Sequence, residues 1–191
     1  MTDHFPPLCS EETLAPIFAL AGKEPEAAIA AIDAALINFP DDYRLHFLKG
    51  SLFVGLKRFV GAHYAMAKAV ALAPDFHIAR FQLGFFELTS GEPEAAKETW
   101  RPIIDALEES HWIRLFVKGL HHLADDRFAE CVHSLQTGIA KNTENLPLNT
   151  DMALIIARCE QILTNGGAEK SEAQGDLSAT SFLLASRTRR H

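Results

Sequence analysis

The chain has 191 residues, 48% of them hydrophobic and 23% charged, which fits one globular domain and excludes disorder throughout. Its net charge of -7, from 18 basic and 25 acidic residues, supplies no overall positive field, so nucleic acid is not an expected partner. No apolar run approaches the roughly 20 residues of a membrane span, the opening MTDHFPPLCS lacks a secretion signal, and Cys9, Cys131 and Cys159 are too irregularly spaced for a disulfide framework. The expectation is a cytoplasmic protein without a membrane partner.

After an irregular segment, 1–8, the chain repeats itself. Glu24-Pro25-Glu26-Ala27-Ala28 returns unchanged as Glu92-Pro93-Glu94-Ala95-Ala96, 68 residues later, twice a period of 34. The copy between them supplies Ala62 between Ala28 and Ala96, Met66 between Ile32 and Trp100, and Gly50 at 34 residues from Gly84; Pro40 and Pro74 keep the same spacing. A fourth copy follows one residue late, with Gly119, Cys131, Leu135 and Gly138 in the corresponding places. The units fall at about 9–42, 43–76, 77–111 and 112–145.

Each unit reads as two antiparallel helices. In the second, Asp42 is placed to cap a helix whose packing face carries His46, Gly50, Phe53 and Leu56; a turn at Lys57 and Arg58 leads to a second helix with Phe59, Ala62, Met66, Ala69 and Val70, ending before Pro74. Gly50 is expected to face Ala62, and Gly84 to face Ala96, because two backbones approach closely only where neither side chain is bulky. Thr150 is placed to cap an end helix over 150–163, carrying Met152, Ile155, Ile156, Cys159 and Ile162 at helical spacing. The tail, 164–191, is rich in Gly, Ala, Ser, Glu and Gln and holds a short apolar group, Leu177, Phe182, Leu183 and Leu184, before it ends in Arg187, Arg189, Arg190 and His191.

A small residue late in the first helix, Ala at the start of the second, a large apolar residue four later, a small one three after that and a closing Pro resemble the tetratricopeptide repeat. The second and third units match well. The first has Pro16 where the helix glycine belongs, and the fourth has Cys131 and Gly138 for the helix alanines and lacks the closing Pro. The resemblance implies an all-α solenoid of about four repeats plus an end helix, wound so that first helices line a concave groove that holds peptides or partner proteins.

Groove positions implied in this way are Arg44, Phe47, Ser51 and Val54 in the second unit, Ile78, Phe81, Phe85 and Leu88 in the third, and Ile113, Phe116, Leu120 and Leu123 in the fourth. They form an apolar stripe, which fits an apolar or amphipathic segment of another protein, or this chain's own Leu177, Phe182, Leu183 and Leu184 docking back. The same residues also suit burial between neighbouring first helices. The clamp that some tetratricopeptide repeats use for acidic C-terminal peptides needs Lys, Asn and Arg where this chain has Phe47, Phe81 and Phe85. Arg44, Arg80 and Arg114, at or near first-helix starts, can hold an anion or simply pair within the fold. His121, His122, Cys131 and His133 are the densest set of metal-ligating types, but adjacent His121 and His122 diverge by about 100° on a helix, so no metal or other cofactor is expected. No phosphate loop, nucleophile elbow, His-Glu-x-x-His or CxxC is present, which points away from an enzyme. Two readings remain: a non-catalytic adaptor or chaperone-like holder of a peptide, and a homodimeric scaffold.

Overall fold

The computed structural model describes residues 7–165. Among the described residues every regular element is a helix: α1 (Glu11–Ala21), α2 (Pro25–Asn38), α3 (Tyr43–Gly55), α4 (Phe59–Leu72), α5 (His77–Thr89), α6 (Pro93–Ala106), α7 (Trp112–Ala124), α8 (Phe128–Lys141) and α9 (Leu146–Asn165). The fold is an all-α helical repeat. It divides into two compact units, Met1–Leu83 and Gly84–His191, the division falling inside α5.

The 34-residue period is a period of burial. Ala28, Ala62, Ala96 and Cys131 are each 0% exposed, and one helical turn later Ile32, Met66, Trp100 and Leu135 are buried as well. Met66, Trp100 and Leu135 each lie under a glycine of the preceding helix. A Cβ on Gly50 would stand 2.7 Å from Met66 Cγ, a Cβ on Gly119 would stand 2.6 Å from Leu135 Cδ2, and a Cβ on Gly84 would overlap the Trp100 indole. The glycine's closest neighbour is therefore the large residue one turn beyond the alanine rather than the alanine itself. Gly50 still meets the Ala62 carbonyl at 3.3 Å, whereas around Gly84 the indole is nearest, because a ring that size fills the slot a missing Cβ leaves.

Three of the turns inside the helix pairs share one backbone solution. Lys57, Gly91 and Asp126 have φ of 59°, 86° and 57°, and the amide after each donates back to a carbonyl five residues earlier: Arg58 N to Phe53 O at 2.8 Å, Glu92 N to Glu87 O at 3.0 Å, Arg127 N to His122 O at 2.8 Å. This is a left-handed helix C-terminus that consumes two orphan carbonyls. Only Gly91 adopts it without a Cβ clash; Lys57 and Asp126 hold it under strain. Helices α2 and α6 start at Pro25 and Pro93, where a residue without an N–H loses nothing.

In the first unit, Cys9, Leu14, Ile17, Ile32, Ala35 and Leu45 form a buried cluster, with Ala31, Leu36, Phe39, Leu48 and Leu52 packed against it. Pro16 lies inside α1 on its exposed side, so it does not stand in for the packing glycine. In the second unit, Gly138 gives Phe116 its place: a Cβ there would stand 2.5 Å from the ring. Helix α9 begins at Leu146, a turn before Thr150, with Pro147 in its first turn. Buried Asn142 sets that start. Its Oδ1 accepts from the amides of Glu144 and Asn145 at 3.2 and 2.9 Å, and its Nδ2 donates to Asn145 O at 2.7 Å and Asn149 Oδ1 at 2.8 Å.

Candidate functional site

The structure distributes the twelve groove positions between surface and interior. On α3, Phe47 and Ser51 are half-buried and Val54 is 37% exposed. The Phe76 ring packs edge-on against both Phe47 and Tyr43, with centroids 5.1 and 5.2 Å apart, so Tyr43, Phe47 and Phe76 form one aromatic ledge, and Val54 lies on the same face of α3 two turns beyond Phe47. Ser51 turns its hydroxyl onto Phe47 O at 3.1 Å, inside its own helix. Ile78 and Phe85 are half-buried. By contrast Phe81, Leu88, Ile113, Phe116, Leu120 and Leu123 are buried and present no surface. The reason is clearest in α7, which is amphipathic: Trp112, Val117 and Gly119 are buried too, so Ile113, Phe116, Leu120 and Leu123 belong to its packed side, while Arg114, Lys118, His121 and His122 occupy the other. The tail residues Leu177, Phe182, Leu183 and Leu184 lie outside the described residues.

Arg44 is also withdrawn from the surface, by chemistry rather than packing. Its guanidinium donates to Asp42 through Nε at 3.0 Å and Nη2 at 2.8 Å, and Nη2 also donates to Cys9 O at 2.6 Å. Asp42 is fully buried, caps α3 through the Arg44 amide at 3.0 Å and accepts the Cys9 amide at 2.8 Å. Burial alone would raise its carboxyl, but the hydrogen bonds from Arg44 and Cys9 outweigh it and bring the pKa down to about 2. Arg80 and Arg114 likewise reach back to loop carbonyls, Pro74 O at 3.3 Å and Leu107 O at 2.6 Å. All three arginines fasten a preceding loop to a helix start.

Burial raises the Cys9 thiol to about 11, with the Asp42 carboxylate adding to it, and the Cys159 thiol, whose Sγ lies 3.9 Å from that of Cys131, raises Cys131, with burial adding to it. His121 and His122 are both lowered, first by burial and then by Lys97 and Arg127 respectively. Among the described residues no three His, Cys, Asp or Glu side chains converge as a metal-binding group.

Residues 19–76 match the family model of the tetratricopeptide repeat. Over that stretch the chain carries the tetratricopeptide repeat. Among solved structures this chain is similar to MamA, residues 41 to the end, from Desulfovibrio magneticus RS-1, at 13% identity over 84% of this chain and 97% of that one, with a TM-score of 0.56. It is also similar to a MamA RS-1 ArsTM double mutant, at 13% identity over 83% of this chain and 97% of that one, also at 0.56. At such identity the likeness establishes the fold. No curated protein matches by sequence. Among the described residues no helix is long and apolar enough to cross a membrane.

Sequence reading missed two further features. Val60 and Tyr64, one turn apart on α4, are 88% and 73% exposed. They fall between the packing positions Phe59, Ala62 and Met66, so a full helical projection of α4 shows them pointing outward. Asn142 carried no signal beyond its type, because its partners become neighbours only in the folded turn.

Proposed function

We propose that this protein is a non-catalytic cytoplasmic adaptor that holds an apolar or amphipathic segment of another protein against α3. The observation that carries the reading is the ledge of Tyr43, Phe47 and Phe76, with exposed Val54 on the same face of α3, inside the stretch that matches the repeat family. Aromatic anchors with one open side are typical of partner contacts, since they add large contact area with few rotors to freeze. Replacing both Phe47 and Val54 with Ser tests it. Helicity stays, because neither residue is in the fully buried core, and recovery of the native partner in a crosslinking pull-down falls; unchanged recovery refutes the α3 face.

A homodimeric scaffold is the second reading, and the exposed pair Val60 and Tyr64 favours it. Analytical ultracentrifugation at tens of micromolar separates the two. A dimer that Tyr64→Ser dissolves supports the scaffold, and a strict monomer removes it.

A further inference from the structure

The second unit carries a surface of different chemistry. Lys97, at the start of α6, pairs with Asp125 at the end of α7 at 3.0 Å, and Arg114, at the start of α7, donates to Leu107 O just past the end of α6, so the two helices run antiparallel. Between them is a cleft of about 530 Å³. Lys97 and Arg101 line it from α6, and Arg114, Lys118 and His121 line it from α7. The lining includes two acids, Glu98 and Glu109, against four cations, with Glu94 and Asp125 pairing with Lys97 from outside it.

Arg101 and Lys118 are loosely held, whereas Lys97 is 30% exposed between Glu94 and Asp125 and Arg114 is 25% exposed and donates to Leu107 O. Arg101 pairs with Glu98, but the two side chains are 61% and 69% exposed, and the partners Glu94 of Lys97 and Glu109 of Arg114 are more exposed still. Such pairs contribute about 0 to 1 kcal/mol and exchange readily for another carboxylate. Lys118 is exposed and pairs with no acid among the described residues. His121 Nε2 is buried at the cleft and has no hydrogen-bond partner. The contrast with Arg44 is one of commitment: its carboxylate is fully buried and cannot swing away.

The cations stand in two columns. Lys97 and Arg101 are four residues apart, as are Arg114 and Lys118, a rise of about 6 Å along each helix. Side chains on one face of an extended peptide recur at about 6.6 to 6.8 Å. We propose that the α6–α7 cleft binds an extended acidic segment of a partner protein, with carboxylates at alternate positions facing Lys97, Arg101, Arg114 and Lys118. This rests on the reading of the chain as a protein-binding module, but on a different surface and by a different chemistry. The exposure of Arg101 and Lys118 argues against a small anion as occupant, because small-ligand sites enclose most of their ligand.

The test is fluorescence anisotropy on the full chain with a fluorescein-labelled peptide of alternating Glu and Ser, against an alternating Lys and Ser control. The acidic peptide binds, the basic one does not, and raising ionic strength weakens binding. Lys118→Glu and Arg101→Glu each weaken it about tenfold, with circular dichroism unchanged; Lys118→Gln gives a smaller loss in the same direction. Phe47→Ser leaves this binding intact, so failure of the α3 face and failure of the cleft are read separately. Equal affinity for the charge-reversed variants, no binding at low ionic strength, or displacement of the peptide by an equal concentration of inorganic phosphate overturns the proposal.

Discussion

Replacing Asp42 with Asn removes one negative charge and almost no volume, so it isolates what the buried carboxylate contributes. In the native protein that carboxylate accepts the Cys9 amide, the Arg44 amide and two guanidinium nitrogens, all at 2.8 to 3.0 Å. An amide in its place keeps one oxygen for the cap and turns an NH2 toward donors. Breaking a buried pair costs about 3 to 5 kcal/mol; Arg44 keeps 25% side-chain exposure and can take up some water, which places the expected loss near about 3 kcal/mol. The pH dependence provides a second check. The folded pKa of about 2 lies below the ordinary 3.8, so the contribution is fully present above about pH 4 and is lost as pH falls toward 2. That difference corresponds to about 2 kcal/mol. Urea unfolding followed by circular dichroism between pH 7 and pH 2 reads both quantities. Wild type and Asp42→Asn should differ by about 3 kcal/mol at pH 7 and converge as the acid is approached. A loss below about 1 kcal/mol at pH 7, or a constant gap across the range, would refute the reasoning.

Other positions give equally direct expectations. Gly84→Ala pushes a Cβ into the Trp100 indole and should cost about 1 to 3 kcal/mol in thermal or urea unfolding, whereas Gly22→Ala, with nothing within 4 Å, should be neutral or slightly stabilising. Lys57→Gly relieves a left-handed residue at φ 59° and should raise stability by up to about 1 kcal/mol; a loss would mean that the Lys57 side chain contributes more than its backbone strain costs. Asn142→Ala leaves the α8–α9 turn without its central acceptor and donor and should cost about 2 kcal/mol, seen as a lowered unfolding midpoint; an unchanged midpoint would show that water replaces the side chain.

The repeat was legible because its period is written in side-chain size. A close helix crossing admits only Gly or Ala at Gly50, Ala62, Gly84 and Ala96, and those residues recur wherever the crossing recurs. Asp42 was legible as a cap for the same local reason, since Arg44 N lies two residues on. Its larger role was not, because Cys9 is 33 residues away and meets it only in the folded unit. On α7, Ile113, Phe116, Leu120 and Leu123 share one apolar side of the helix with Trp112 and Val117, and periodicity alone cannot distinguish a packing face from an open one. The α6–α7 cleft was hidden for a different reason. Arg114 and Lys118 in sequence are a scattered pair of charges, and only the antiparallel pairing sets them opposite Lys97 and Arg101.

The central claim is that the α3 face contacts another protein, and a photo-crosslinking residue placed at Val54 tests it most directly. Val54 is exposed on the same face of α3 as Phe47, while Gln136 on α8 is also exposed and serves as the control position. On irradiation of the full chain in its own cells, position 54 should yield a discrete crosslinked species that Phe47→Ser abolishes, and position 136 should yield none. Crosslinking at both positions alike, or at neither, would contradict the claim.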